Sequence, residues 1–250
     1  MKIKKNRTII LIACISLICC AFLSYGNGVV SYASVYFGNN LKLYPIYKVD
    51  TQKPQVAITF DAGWGADKTE QIMEVCDKYG IKATFFLVGI WIEEYENLTK
   101  LIAEKNFEIG SHSYNHPDLT KLALQDMQTE LIKTNALIKE VVGFEPKLFR
   151  APFGAYNNDV ISAVNKLNMS CIQWDVDTLD WKGYGPQQVL ARVNSKIDNG
   201  SIILCHNNAE HVVENTELIL KTLIAKGYQF VKVSELICDV KEIKIGIGKL

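Results

Sequence analysis

Short β-type runs alternate with longer helical patterns from residue 56 to residue 231, and this alternation restricts the fold more than any other feature of the chain. The runs fall at 56–60, 83–87, 107–109, 148–150, 170–174, 201–204 and 229–231, with helical segments near 67–79, 93–105, 122–142, 158–167, 186–198 and 212–226. In the third helical segment Leu124, Met127, Leu131 and Ile138 keep one apolar face, the mark of a helix packed on a core. Gly143 and Gly227 stand where helices should stop, because glycine tolerates the left-handed conformation that closes them. Pro186 suits a first helical turn, where its missing N–H costs nothing. Alternation of this kind builds a parallel sheet with helices outside it. The expectation is an α/β fold, a distorted (β/α) barrel of about seven parallel strands, with an open doubly wound sheet as the alternative.

The chain has 250 residues, 48% of them hydrophobic, and a formal net charge of zero. That is enough for one core of roughly two hundred residues. It carries no basic stripe with interleaved aromatics, so nothing points to nucleic acid. Lys2, Lys4, Lys5 and Arg7 precede an apolar stretch over 9–23 broken only by Ser16, the pattern of a signal peptide or an uncleaved anchor. The resulting division is 1–33 signal peptide or anchor, 34–52 linker, 53–238 catalytic domain and 239–250 tail. The expected location is outside the cell, secreted or anchored at the envelope. Membrane contact is expected only through the N-terminal segment, and the chain is expected to be a monomer. Cys76, Cys171, Cys205 and Cys238 lack Cys-x-x-Cys spacing and are read as small buried hydrophobes.

In an α/β barrel, functional groups gather at the carboxyl ends of the strands. Here the unusual polar residues follow the runs one after another: Asp61; then Ser111, His112 and His116; then Arg150; then Asp175, Asp177, Asp180 and Trp181; then His206. His112 and His116, four apart, are read as two imidazoles on one face of a helical turn, able to reach one divalent cation. Such a pair also arises by chance on exposed helices, so its weight comes from the company it keeps. Trp64 and Trp91 are read as core packing ahead of groove lining, Asp175 as structural or solvated, and His211 as a helix-start residue.

Thr59-Phe60-Asp61, His112-Ser113-x-x-His116, Arg150-Ala151-Pro152-Phe153-Gly154, Asp177-x-x-Asp180-Trp181 and Leu204-x-His206 occur in that order over roughly 53–237. In this the chain resembles the polysaccharide deacetylase family (the NodB homology, a carbohydrate esterase type). The lead-in over 42–47 and the variant Thr-Phe-Asp-Ala-Gly-Trp-Gly over 59–65 look like the sporulation-associated branch found in spore-forming bacteria. That branch implies action at the forespore or spore envelope.

The resemblance implies hydrolysis of N-acetyl groups on the amino sugars of peptidoglycan or a related glycan. Amide hydrolysis needs an activated water, a stabilised oxyanion and a proton for the leaving nitrogen. By resemblance Asp61 is the base, Arg150 its partner, His206 the acid and Asp180 the residue that orients it. Phe153 offers its backbone N–H to the oxyanion, and Trp181 and Leu204 line the sugar and acetyl pockets. His112 and His116 hold a divalent metal, zinc first, with cobalt, nickel or manganese as alternatives. One position departs from the family pattern. Ala62 stands where the family has a second aspartate, the third metal ligand, and catalytic zinc sites normally have three protein ligands. The metal is therefore expected to be weakly held or absent unless Asp67, Asn115, water or substrate supplies the missing donor. A glycan-binding envelope protein without turnover is the competing reading, and a glycosidase using Asp61 and Asp180 is a third.

Overall fold

The computed structural model describes residues 42–238; the N-terminal signal or anchor and the C-terminal tail expected from the sequence lie outside them. Among the described residues no helix is long and apolar enough to cross a membrane. In chain order the elements are β1 (Gln55–Ala62), α1 (Thr69–Lys78), β2 (Thr84–Leu87), α2 (Gly89–Glu94), α3 (Glu96–Glu104), β3 (Glu108–Ser111), α4 (Leu124–Val142), β4 (Leu148–Phe149) and α5 (Asn158–Lys166). They continue with β5 (Ser170–Cys171), β6 (Val176–Asp177), α6 (Pro186–Lys196), β7 (Ile202–His206), α7 (Val212–Ala225), β8 (Gln229–Phe230) and α8 (Val233–Cys238).

The strands run parallel in the order β5-β4-β3-β2-β1-β7-β6, with β8 pairing the start of β1. This is the expected distorted barrel rather than the doubly wound alternative. Side chains alternate across each strand, and β1 shows the consequence. Ile58 and Phe60 enter the apolar layer beneath the helices with Ile72, Met73 and Leu220. Ala57 joins Phe86, Leu148 and Ile202 in the barrel interior, the side that also receives Thr59 and Asp61.

Several boundaries move. The fifth run, expected over 170–174, is a strand only over Ser170–Cys171. Ile172 N–H still donates to the Phe149 carbonyl at 2.8 Å while its other side bridges Ile46, and the chain turns before a two-residue strand, β6, which sequence reading did not anticipate. Residues 46–49, within the stretch expected to be linker, are extended chain whose hydrogen bonds go to the barrel: Ile46 N–H donates to the Cys171 carbonyl at 2.8 Å and Val49 N–H to the Gly200 carbonyl at 2.9 Å. The helical segment expected over 93–105 begins at Gly89 and breaks at Tyr95 (φ −123°, ψ 45°). Gly143 (φ 84°) and Gly227 (φ 91°) do end their helices in the left-handed conformation, and Pro186 opens α6.

Candidate active site

Register between the central strands builds the site. Asp61 near the end of β1 lies opposite His206 at the end of β7, so a carboxylate and an imidazole stand side by side. Arg150, fully buried just beyond β4, reaches across the interior. Its Nη1 donates to Asp61 Oδ1 at 2.7 Å and to Thr59 Oγ1 at 2.8 Å, and Nη2 donates to the Gln173 carbonyl at 3.2 Å. The guanidinium lies 4.0 Å over the Phe86 ring. Burial alone would raise the Asp61 pKa, but Arg150, helped by His206, outweighs it. The carboxyl is held below its ordinary 3.8 and is ionised at neutral pH.

His112 and His116 do not share a helical turn. They belong to a loop after β3 in which Ser113 (φ 64°) and His116 (φ 59°) are left-handed. The loop is tied down from α4, where Glu130 accepts from the backbone N–H of Tyr114 and Asn115, both at 2.8 Å. Glu130 was invisible to sequence reasoning, since a glutamate on a helix carries no signal by itself. The rings nonetheless meet, with centroids 4.8 Å apart. His112 Nδ1 lies 2.7 Å from the Arg150 carbonyl, so that nitrogen carries the proton. Nε2 is left with a lone pair 3.5 Å from Asp61 Oδ2, the tautomer a ligand needs. Burial pushes the pKa of His112 down and that of His116 to about 4, with His112 adding to the second shift. Both are neutral at pH 7.

On the other side Asp180, buried in the turn 180–182, fixes His206 twice. It accepts from the backbone N–H at 2.9 Å and from ring Nδ1 at 2.8 Å, and it also takes the Trp181 N–H at 2.9 Å. Burial disfavours the His206 cation, but Asp180 more than offsets this and the pKa ends above 6.5. Phe153 sits at φ 59° with its ring 71% exposed and 4.6 Å from His116. Leu204 is buried at the cleft floor and Trp181 is exposed. These groups surround one cleft of about 550 Å³.

Some expectations change. Asp175 takes the structural role that was one of its two readings, away from the rim: it accepts from Ser201 Oγ and Ile202 N–H, both at 2.8 Å, where β7 begins. That is the opposite end of the strand from His206. Trp91 is buried as expected, but Trp64 is 56% exposed and lines the cleft. His211 caps α7. Cys76, Cys171 and Cys205 are buried free thiols, whereas Cys238 is exposed.

The two imidazoles are oriented for a cation, yet among the described residues no third histidine, cysteine or carboxylate completes a metal-binding group with them. Ala62 is fully buried and brings no donor atom. Asn115 Nδ2 is engaged by Glu130 Oε1 at 2.8 Å, and Asp67 is not among the cleft residues. The donor set falls one short of a three-ligand site.

Fold and site together define a hydrolase-type barrel with a carboxylate–arginine pair and an imidazole–carboxylate pair at the carboxyl ends of its strands. The chain belongs to the polysaccharide deacetylase family, whose sequence model matches residues 48–172. It is 33% identical to a peptidoglycan-N-acetylglucosamine deacetylase of Bacillus cereus, over 77% of this chain and 71% of that protein. It is 38% identical to the uncharacterized protein YlxY of Bacillus subtilis, over 80% of this chain and 62% of that one, and so spans less than two thirds of that relative. Among solved structures it resembles a CE4 family pseudoenzyme from Bacillus anthracis with TM-score 0.76 and 33% identity, covering 79% of this chain and 70% of that one. A mutant of the pseudoenzyme, described as having restored enzymatic activity, matches equally well (TM-score 0.76, 34% identity, 79% and 72% covered).

Proposed function

We propose that this chain is an exported hydrolase that removes N-acetyl groups from amino sugars of peptidoglycan or a related cell-wall or spore glycan. The observation that carries the reading is the strand register that sets Asp61, paired with Arg150, beside His206, paired with Asp180. Asp61 takes a proton from water as its oxygen attacks the acetyl carbonyl carbon, and the N–H of Phe153 stabilises the oxyanion. The C–N bond then breaks as His206, protonated by virtue of Asp180, passes its proton to the departing nitrogen. Acetate and a free amine result. A glycosidase using Asp61 and Asp180 is disfavoured, because Asp180 is 1% exposed and committed to His206 and Trp181.

Peptidoglycan fragments incubated with the purified chain in buffer containing zinc, cobalt, nickel or manganese should release acetate. No acetate under any of these conditions, with a working control enzyme, rejects the proposal.

Ala62 favours one other reading, a glycan-binding envelope protein without turnover, and the resemblance to a pseudoenzyme adds to it. The two readings part at Ala62→Asp. Calorimetry should show tighter cation binding by this variant, on the order of ten- to a hundredfold, the scale on which a single supporting group changes metal affinity. Acetate release that rises from a measurable wild-type rate supports the hydrolase. Release seen only in the variant supports the binding protein.

A further inference from the structure

We infer that Trp64 is a sugar-stacking platform that selects oligosaccharide over shorter ligand, an inference that rests on the glycan reading above. Nothing in the acid–base chemistry uses this residue, yet its indole is 56% exposed on a backbone that is held fixed. The Gly65 carbonyl accepts from Trp91 Nε1 at 2.7 Å and from Asn207 Nδ2 at 2.8 Å. Both donors are buried, and Asn207 follows the acid His206 directly. The Trp64 ring meets His116 edge-on at 4.9 Å, and Phe153 meets the same imidazole edge-on at 4.6 Å. Two exposed aromatic rings therefore bracket His116, while Trp181 stands beside the His206–Asp180 pair. An aromatic ring left exposed on a pinned loop loses the benefit of burial and presents a rigid apolar face, which matches the C–H face of a pyranose. With such faces by both His116 and His206, the cleft is built for a ligand longer than the one sugar that loses its acetyl group. A β-1,4-linked N-acetylated amino-sugar chain has that chemistry.

The test is calorimetric binding of the N-acetylglucosamine tetramer and dimer to the full chain, with acetate release followed in parallel. Trp64→Ala should weaken the tetramer about tenfold, the loss expected for one aromatic contact, with the rise in KM exceeding any fall in kcat. The dimer should be nearly unaffected, and Trp64→Tyr should recover most of the tetramer affinity. Tetramer binding by Trp64→Ala equal to wild type overturns the inference. So does equal loss for tetramer and dimer, which would place the role of Trp64 in packing His116. Trp64-dependent tetramer binding without acetate release upholds this inference while rejecting the hydrolase; acetate release indifferent to Trp64 does the reverse.

Discussion

At the scale of single residues the site is two opposed pairs, and each makes a different prediction. Arg150 is fully buried and neutralises Asp61. Arg150→Met should leave a buried carboxylate without its partner and destabilise the fold by about 3–5 kcal/mol, read from the denaturant midpoint. His206 is the pH-sensitive member. Its raised pKa keeps the proton above 6.5, so in the proposed reaction acid catalysis should persist to higher pH than an ordinary histidine allows and be lost as pH rises through the folded value. Asp180→Asn should move the alkaline limb of the kcat/KM profile towards acid. His206→Ala should cost on the order of 10²–10⁴-fold in kcat, the usual share of a general acid. The residues of both pairs are legible in the sequence as strand-end polar groups, but their partners' geometry is not.

At the scale of elements, loops do what regular structure cannot. The histidine pair reads as a helical turn, because a spacing of four is shared by helices and by many loops. The structure meets the same spacing with two left-handed residues and a glutamate from α4. Phe153 is also left-handed, a strain of roughly 1–2 kcal/mol for a non-glycine residue. Phe153→Gly should therefore leave the melting temperature level or higher while raising KM for glycan, a combination that thermal melts and kinetics would reveal together. The seam formed by residues 46–49 has its own weak point. Gly200 lies at φ 80°, and a Cβ there would stand 1.8 Å from the Val49 carbonyl oxygen. Gly200→Ala should cost about 2 kcal/mol or more from strain and overpacking, with hydrogen exchange at Val49 N–H the local readout. Neither the seam nor the two-residue β6 was legible, since pairings this short carry no periodicity of their own.

At the scale of the whole molecule, two neutral imidazoles, His112 buried and His116 half-buried, tie stability to pH. His112 and His116 have pKa values lowered from 6.5, the latter to about 4. Between those limits the unfolded chain binds protons that the folded chain does not, so stability falls as pH drops from 6.5 towards 4. Asp61, lowered from 3.8, extends the loss in the same direction at still lower pH. Melting of chelator-treated protein should show this slope, and His116→Asn should flatten it. By itself the sequence determined the barrel, the polar residues at its strand ends and the absence of a carboxylate at Ala62, because periodicity and residue identity are local properties. Only the tertiary structure decided that Asp175 serves the far end of the barrel, that Glu130 holds the histidine loop and that Trp64 faces the cleft. Those outcomes depend on register and on contacts between residues far apart in the chain, which no local pattern encodes.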